Sequence, residues 1–159
     1  MPLSASTLKS ALQASLESYP ATAVVAGQAW ADAIAAYIAG GSSCQAVPPT
    51  SASIDAGKAA LAASIAAALS SGSAASAAAG LSAAVALFFQ GLLFVGVTPG
   101  SVAAVGGAAA LQAGMQVAFA TFWPTMADAA QEFATQIDLC AKTVMVQHAA
   151  PAACASFLL

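Results

Sequence analysis

The segment Ala78–Val97 reads AAGLSAAVALFFQGLLFVGV, and Val102–Trp123, which follows it closely, reads VAAVGGAAALQAGMQVAFATFW. Neither segment has a charged residue, and none occurs anywhere between Lys58 and Asp128. An apolar segment of about 20 residues is long enough to cross a bilayer as a helix, and it can equally form a buried helix in a protein core. The fold and the function of the chain therefore both depend on what covers this apolar surface.

The overall composition extends this pattern to the whole chain of 159 residues. Charged residues make up 6% of it, against about 25% in an average protein, and alanine makes up about 30%. A chain with so few charges cannot build the mixed, charged surface of an ordinary soluble monomer, and large exposed apolar areas usually mark interfaces. The composition therefore predicts that a partner covers part of the surface, either other protein subunits or a bilayer.

Amphipathic helices are predicted on both sides of the uncharged middle. In the last of them Phe133, Ile137 and Val144 repeat at helical spacing on one face, and the Thr125 hydroxyl can cap its start. In the third, Ser53 is the predicted cap. These flanking helices are predicted over residues 4–19, 22–39, 54–69 and 125–147.

The pattern predicts a mainly α-helical fold, with about five to six helices bundled in a single domain over residues 1–159. The Ser- and Pro-rich segment 42–53 is predicted to be a loop, the small-residue segment 70–76 a linker, and the apolar segment 148–159 a tail docked on the bundle. Residues 92–97 fit a short β segment as well as they fit a helix.

The few cations exclude nucleic acid as a partner. Binding to nucleic acid depends on neutralising several phosphates with lysine or arginine. The chain has no arginine, and its three lysines, Lys9, Lys58 and Lys142, are far apart in the sequence. The partner is therefore expected to be protein or lipid.

No pattern typical of catalysis, metal binding or nucleotide binding stands out. His148 with Cys140 and Cys154 offers three zinc ligands, whereas a structural zinc site takes four, and Cys44 is distant in sequence. A Cys–His catalytic pair needs a reactive thiolate, but Cys140 falls on the apolar stripe of its helix, where a thiolate is disfavoured. Glycine-rich phosphate-binding motifs and the Gly-x-Ser-x-Gly elbow do not occur. We therefore expect no cofactor, no metal and no enzymatic activity.

Aromatic side chains supply the candidate contacts with a partner. Aromatic residues at helical spacing more often form the core than an interface, but large rings also dominate the energetics of protein interfaces. Three of the candidates, Phe119, Phe122 and Trp123, cluster beside Pro124 and are the preferred anchors. The complete set of candidate interface residues is Phe88, Phe89, Phe94, Phe119, Phe122 and Trp123.

A membrane protein is the alternative to an assembly subunit. In that alternative, residues 78–97 and 102–123 form a two-helix hairpin around Thr98-Pro99-Gly100, as in the holins with which phages open the host membrane. However, no lysine lies near either end of the hairpin to set its orientation, and much of its apolar character comes from alanine, which contributes little transfer free energy. The amphipathic flanking helices are more typical of a water-soluble bundle.

A resemblance favours the assembly. The small helices, the sequence Gln28-Ala29-Trp30-Ala31, the break at Thr98-Pro99-Gly100 and the ending Lys142-Thr143-Val144-Met145-Val146 resemble a recurrent type of protein. The chain is similar to small, alanine-rich proteins encoded among the tail genes of tailed bacteriophages and phage tail-like particles. This resemblance extends over most of the chain and implies a virion component of the tail or baseplate. We therefore expect a structural subunit that packs its helices against other subunits of the same particle.

Overall fold

A computed structural model describes residues 3–43, 45–95, 99–149 and 155–158, and for residues 155–157 it describes the backbone. Within these residues the chain forms six α-helices and one four-stranded antiparallel sheet, which confirms the predicted mainly α fold with a short β segment. The elements in chain order are α1 (Ala5–Glu17), α2 (Ala23–Ala39), α3 (Ser51–Leu69), α4 (Ala74–Gln90), β1 (Leu93–Phe94), β2 (Gly100–Val105), α5 (Ala108–Ala120), α6 (Met126–Ala141), β3 (Val144–His148) and β4 (Ala155–Phe157).

A hydroxyl group caps the start of five helices by accepting a backbone N–H from the residue three positions further on. The capping residues are Ser4, Thr22, Thr50, Ser73 and Thr125. The predicted cap of the third helix, Ser53, was wrong, because α3 begins at Ser51 with Thr50 as its cap. Thr50 is held extended by donating its N–H to the Leu93 carbonyl at 2.8 Å, and the chain turns into the helix directly after it. Likewise α4 begins inside the predicted linker, at Ala74.

The six helices form a closed ring, in which each packs against the next in sequence and α6 packs against α1. Small residues let neighbouring helices approach closely, because the distance between helix axes depends on the side chains at the contact. A Cβ atom on Gly27 of α2 would lie 2.5 Å from the Ala62 carbonyl oxygen of α3, and one on Gly80 of α4 would lie 2.8 Å from the Ala68 Cβ of α3. The abundance of alanine and glycine therefore has a structural reason within the chain.

Aromatic rings fill the wider part of the core where α2, α5 and α6 meet. The Phe133 ring lies with its centre 5.0 Å from the Trp30 ring and 5.0 Å from the Phe119 ring, at the tilted angles that aromatic pairs prefer. Leu8 and Leu12, which lie four residues apart on one face of α1, are fully buried.

The sheet has the strand order β1-β2-β3-β4, and every neighbouring pair is antiparallel. The predicted last helix was too long, because α6 ends at Ala141 and Val144–His148 is a strand. Val144, Val146 and His148 are buried and alternate with exposed residues, so this segment follows the two-residue period of a strand rather than a helical period. Beyond it, β4 pairs with β3, and Leu158 is buried with its N–H donated to the Val144 carbonyl.

The two-helix hairpin of the membrane alternative was also wrong as a description of the secondary structure. Of the first segment, residues 78–90 belong to α4, and Leu93–Phe94 is a strand, while residues 96–98 lie outside the described part of the chain. Of the second, residues 102–105 belong to β2, and α5 has only 13 residues. Pairing with β3 holds residues 102–105 extended.

Candidate functional site

A buried polar network joins α2 to α6. The Tyr37 hydroxyl donates to Asp138 Oδ1 at 2.7 Å, and Lys142 Nζ donates to Asp138 Oδ2 at 2.7 Å. Asp138 is only 6% exposed, so its carboxylate depends on these two donors. Burial, and then the hydrogen bond and negative charge of Asp138, raise the pKa of Tyr37 far above its usual value. The phenol therefore stays protonated and acts as a structural hydrogen-bond donor.

A second buried polar pair connects the sheet to the segment between α2 and α3. His148 Nε2 and Ser43 Oγ lie 2.8 Å apart, and the two residues are 2% and 4% exposed. Phe94, Gly100 and His148 are register partners across β1, β2 and β3, with the Phe94 and His148 rings 6.3 Å apart. Gly100 is required here, because a Cβ atom at this position would lie 2.6 Å from Cε1 of the His148 ring.

A serine hydroxyl bonded to a histidine can be a nucleophile and its general base, but such a pair must be accessible to a substrate. A depression of about 410 Å³ lies beside this pair, and the Ser43 hydroxyl is not among the groups that line it. Its lining residues are Leu93, Pro99, Gly100, Ser101, Gln147, His148 and Ala149. The pair therefore connects two parts of the fold, and no local sequence pattern could reveal it because its members are 105 residues apart.

The residues considered for metal binding or thiol chemistry are separated in the structure. Cys140 lies near Gly107 beyond one end of the β2–β3 ladder, whereas His148 lies at the other end. Burial raises the pKa of the Cys140 thiol to about 11, although a hydrogen bond with Thr143 opposes the rise. In the described part of the chain, no three His, Cys, Asp or Glu side chains lie close enough together to hold a metal ion. Cys44 and Cys154 lie outside the described residues.

The six aromatic residues of the predicted interface occupy three different environments. Phe88, Phe89 and Phe94 are buried in the core of the chain itself. Phe119 and Trp123 are partly buried, and the Trp123 indole N–H donates to the Ala118 carbonyl at 2.9 Å. Phe122, by contrast, is 95% exposed. Within this set Phe122 is therefore the side chain best placed to reach another molecule, and the predicted contact with a neighbouring subunit stays a prediction.

Three exposed apolar side chains lie along the chain at the connection between α5 and α6, and we call this set the corner patch. It consists of Val117 in the last turn of α5, Phe122, and Met126 at the start of α6, all of them exposed. Further exposed large apolar side chains are spread over the rest of the described surface. They are Tyr19, Val24, Val25, Leu87, Leu93, Val95, Leu139 and Met145.

An apolar cleft of about 120 Å³ lies between α3 and α4. No charged side chain lines it, and small residues on both helices leave the space open. The residues that line this α3–α4 cleft are Gly57, Ala60, Leu61, Ser64, Ala84, Leu87 and Phe88. Sequence periodicity does not reveal the cleft, because it depends on how the two helices pack.

Comparison of the chain with protein-family models, with curated proteins and with solved structures finds no match. Among the described residues, α3 alone is long and apolar enough to cross a membrane by length and composition, and a third of its most apolar window is buried inside the structure.

Proposed function

We propose that the chain is a structural subunit of a larger protein assembly and that it acts by packing its apolar surface against neighbouring subunits. One observation carries this proposal: Phe122 is 95% exposed within a corner patch that lies in the long uncharged part of the chain. Exposed apolar patches typically mark interaction sites, and a large exposed ring is the kind of side chain that anchors interfaces.

The chain completes its own core, so a partner would cover a surface rather than fill a missing part of the fold. The accessible surface is 7313 Å², close to the value of about 7,100 Å² expected for a folded monomer of this mass. The outer surface of the folded chain therefore carries few charged side chains. This favours contacts between preformed subunits.

Exposed alanines on α3 support helix packing as the mode of contact. Ala52, Ala56, Ala59, Ala63 and Ala67 are exposed and follow one another along the outer face of this helix. Burying alanine costs no side-chain conformational entropy, and its small size allows the backbone of a neighbouring helix to approach closely. A face of this kind can be covered by another helix at little cost.

Because the sequence resembles alanine-rich proteins encoded among phage tail genes, we propose that the larger assembly is a virion. On this proposal the partners are other subunits of the same tail or baseplate, and the chain has no catalytic role. The burial of the Ser43–His148 pair and of the Cys140 thiol supports the second point, because neither nucleophile is open to a substrate.

A small integral membrane protein is the second candidate, and α3 is the observation that favours it. The helix has 19 residues and is apolar enough to cross a bilayer. However, Asp55 and Lys58 lie on it, and Lys58 forms an ion pair with Asp32 of α2 at 3.1 Å. The core helix of a water-soluble protein meets the same criteria of length and composition.

Membrane extraction distinguishes the two candidates. The chain is expressed alone, membranes are separated from inclusion bodies by flotation, and the floated fraction is washed with alkaline carbonate. We expect the protein to stay in the soluble fraction, or to leave the membranes with carbonate. A protein that floats with the membranes and leaves them only with detergent would refute the assembly proposal and support the membrane protein.

A further inference from the structure

We propose that the partner is a second copy of this chain, and that Phe122 of one copy seats in the α3–α4 cleft of the next. This inference rests on the proposed function and names the partner in it. The corner patch carries a ring that is 95% exposed, and the cleft, whose lining includes no residue of the corner patch, offers an apolar space for one ring.

The backbone around Phe122 is held in place by hydrogen bonds. The Thr121 hydroxyl donates to the Val117 carbonyl at 2.8 Å, and the Trp123 indole N–H donates to the Ala118 carbonyl at 2.9 Å. Three residues further on, Thr125 caps α6. These contacts hold the residues on both sides of Phe122 before any partner arrives, so the loss on binding falls mainly on the Phe122 side chain and little on the backbone.

The cleft matches one phenyl ring in size and in chemistry. A closed apolar cavity of about 150 Å³ binds benzene, and the cleft encloses about 120 Å³ while remaining open on one side for the stem of the side chain. On the α3 side the cleft is lined by the small residues Gly57 and Ala60. On the α4 side it is lined by the large apolar side chains of Leu87 and Phe88. Because no charged side chain lines the cleft, seating a ring there leaves no charge buried without a partner.

A stable contact needs more area than one ring provides. A standard interface covers about 800 Å² on each partner, which is about a tenth of the 7313 Å² surface of this chain. A buried phenyl ring contributes about 200 Å² of that. Further exposed apolar side chains belong to each surface, namely Val117 and Met126 in the corner patch and Leu87 in the lining of the cleft.

The projecting ring and the cleft are different surfaces, so the contact is heterologous. Each copy would offer one ring to the next copy and accept one from the copy before it. Contacts of this type close into rings, or continue as filaments when the rotation between copies does not close. The inferred product is therefore a ring or filament rather than a twofold dimer.

Sedimentation velocity on three variants tests the inference. Phe122→Ser removes the ring, and Ala60→Leu fills the cleft with a side chain that helices accept well. Val24→Ser is the matched control, because Val24 is also exposed and lies in the first turn of α2, outside both surfaces. Circular dichroism establishes that each variant is folded. We expect the wild type and Val24→Ser to form oligomers, and each of the other two variants to associate at least about 30-fold more weakly.

Mixing the two weakened variants gives the sharpest result. Phe122→Ser keeps the cleft and Ala60→Leu keeps the ring, so an equal mixture should form a heterodimer held by one intact contact. Wild-type oligomers that persist in both variants would overturn the inference and leave the assembly proposal standing. A wild type that sediments as a monomer at every concentration would also overturn it, and the assembly partner would then be a different chain. Retention in membranes after the carbonate wash is the separate result that refutes the assembly proposal itself.

Discussion

Replacing Gly27 with alanine tests whether small residues set the distance between helices. A Cβ at this position would lie 2.5 Å from the Ala62 carbonyl oxygen and 2.9 Å from the Ala66 backbone nitrogen, and both atoms belong to the backbone of α3. Backbone atoms cannot rotate away as a side chain can. The two helices would have to separate until the ordinary contact distance of at least 3.4 Å is restored.

The expected magnitude follows from two opposing effects. Overpacking of a core costs about 1–3 kcal/mol, and a clash with backbone belongs at the upper end of that range. Alanine recovers about 1 kcal/mol because it forms helix better than glycine does. Gly27→Ala should therefore lower the free energy of unfolding by about 2 kcal/mol, which lowers the melting temperature by about 4–8 °C in a chain of this size.

Thermal and urea unfolding followed by circular dichroism measure this change. Gly114→Ala is the comparison variant, because Gly114 also lies inside a helix but its Cβ would meet a side chain, that of Gln136, and no backbone atom. Gln136 can move away at the cost of its hydrogen bond to Glu132, and the helix-forming preference of alanine offsets that cost, so this variant should stay within about 1 kcal/mol of the wild type. If Gly27→Ala proved as stable as the wild type, close packing between α2 and α3 would not be what requires glycine, and the reasoning would be refuted.

Three further predictions concern the buried polar groups. Tyr37→Phe removes a donor from the buried Asp138 carboxylate, so urea denaturation at pH 7 should show a free energy of unfolding lower by about 1–3 kcal/mol. Because the pKa of Cys140 is about 11 in the folded chain and 9.0 for a free thiol, the unfolded chain loses this proton first as the pH rises. The free energy of unfolding should therefore fall above about pH 9, by up to about 1.4 kcal/mol per pH unit from this group, and denaturation of Cys140→Ala across the same pH range should lack that contribution. Gly100→Ala should cost about 1–3 kcal/mol because of its contact with the His148 ring, and a double-mutant cycle should show a smaller cost in a His148→Ala background.

Local signals in the sequence predicted the four helices outside the uncharged middle, although the start of α3 and the end of α6 were misplaced. The Thr22 hydroxyl lies directly before the periodic apolar residues of α2, and the observed helix has the predicted end at Ala39. In α6 the stripe of Phe133, Ile137 and Cys140 is buried as its spacing predicts. Caps and amphipathic periodicity act within a few residues of the chain, so they can be recognised without knowledge of the tertiary structure.

The sheet could not be predicted in the same way, because it depends on pairing between distant segments. The β2 residues Gly100–Val105 lie 39 to 48 positions before their partners in β3, and nothing in either segment specifies the other. A short run of apolar residues without charge has no polar face, so it fits a buried helix and a strand equally. The pairing in the folded chain settles the choice: Val144, Val146 and His148 then share the buried face.

The candidate interface shows the same limit at the level of single side chains. Phe88, Phe89 and Phe122 are the same residue type in the same uncharged part of the chain, yet the first two are in the core and the third is almost fully exposed. Their sequence context does not separate them, since the difference comes from which helices pack over each ring. The α3–α4 cleft shows the same limit, because its lining comes from two helices, with Gly57 of α3 packed against the Phe88 ring of α4.

The molar mass of the purified wild-type chain in detergent-free buffer shows whether other protein chains cover its apolar surface. Light scattering after size-exclusion chromatography gives this mass over a range of concentrations. We expect a water-soluble protein whose mass is a multiple of 15.3 kDa and rises with concentration. A chain that dissolves only in detergent, or one that stays at 15.3 kDa at every concentration and binds no other subunit, would contradict the claim that other protein chains cover its apolar surface.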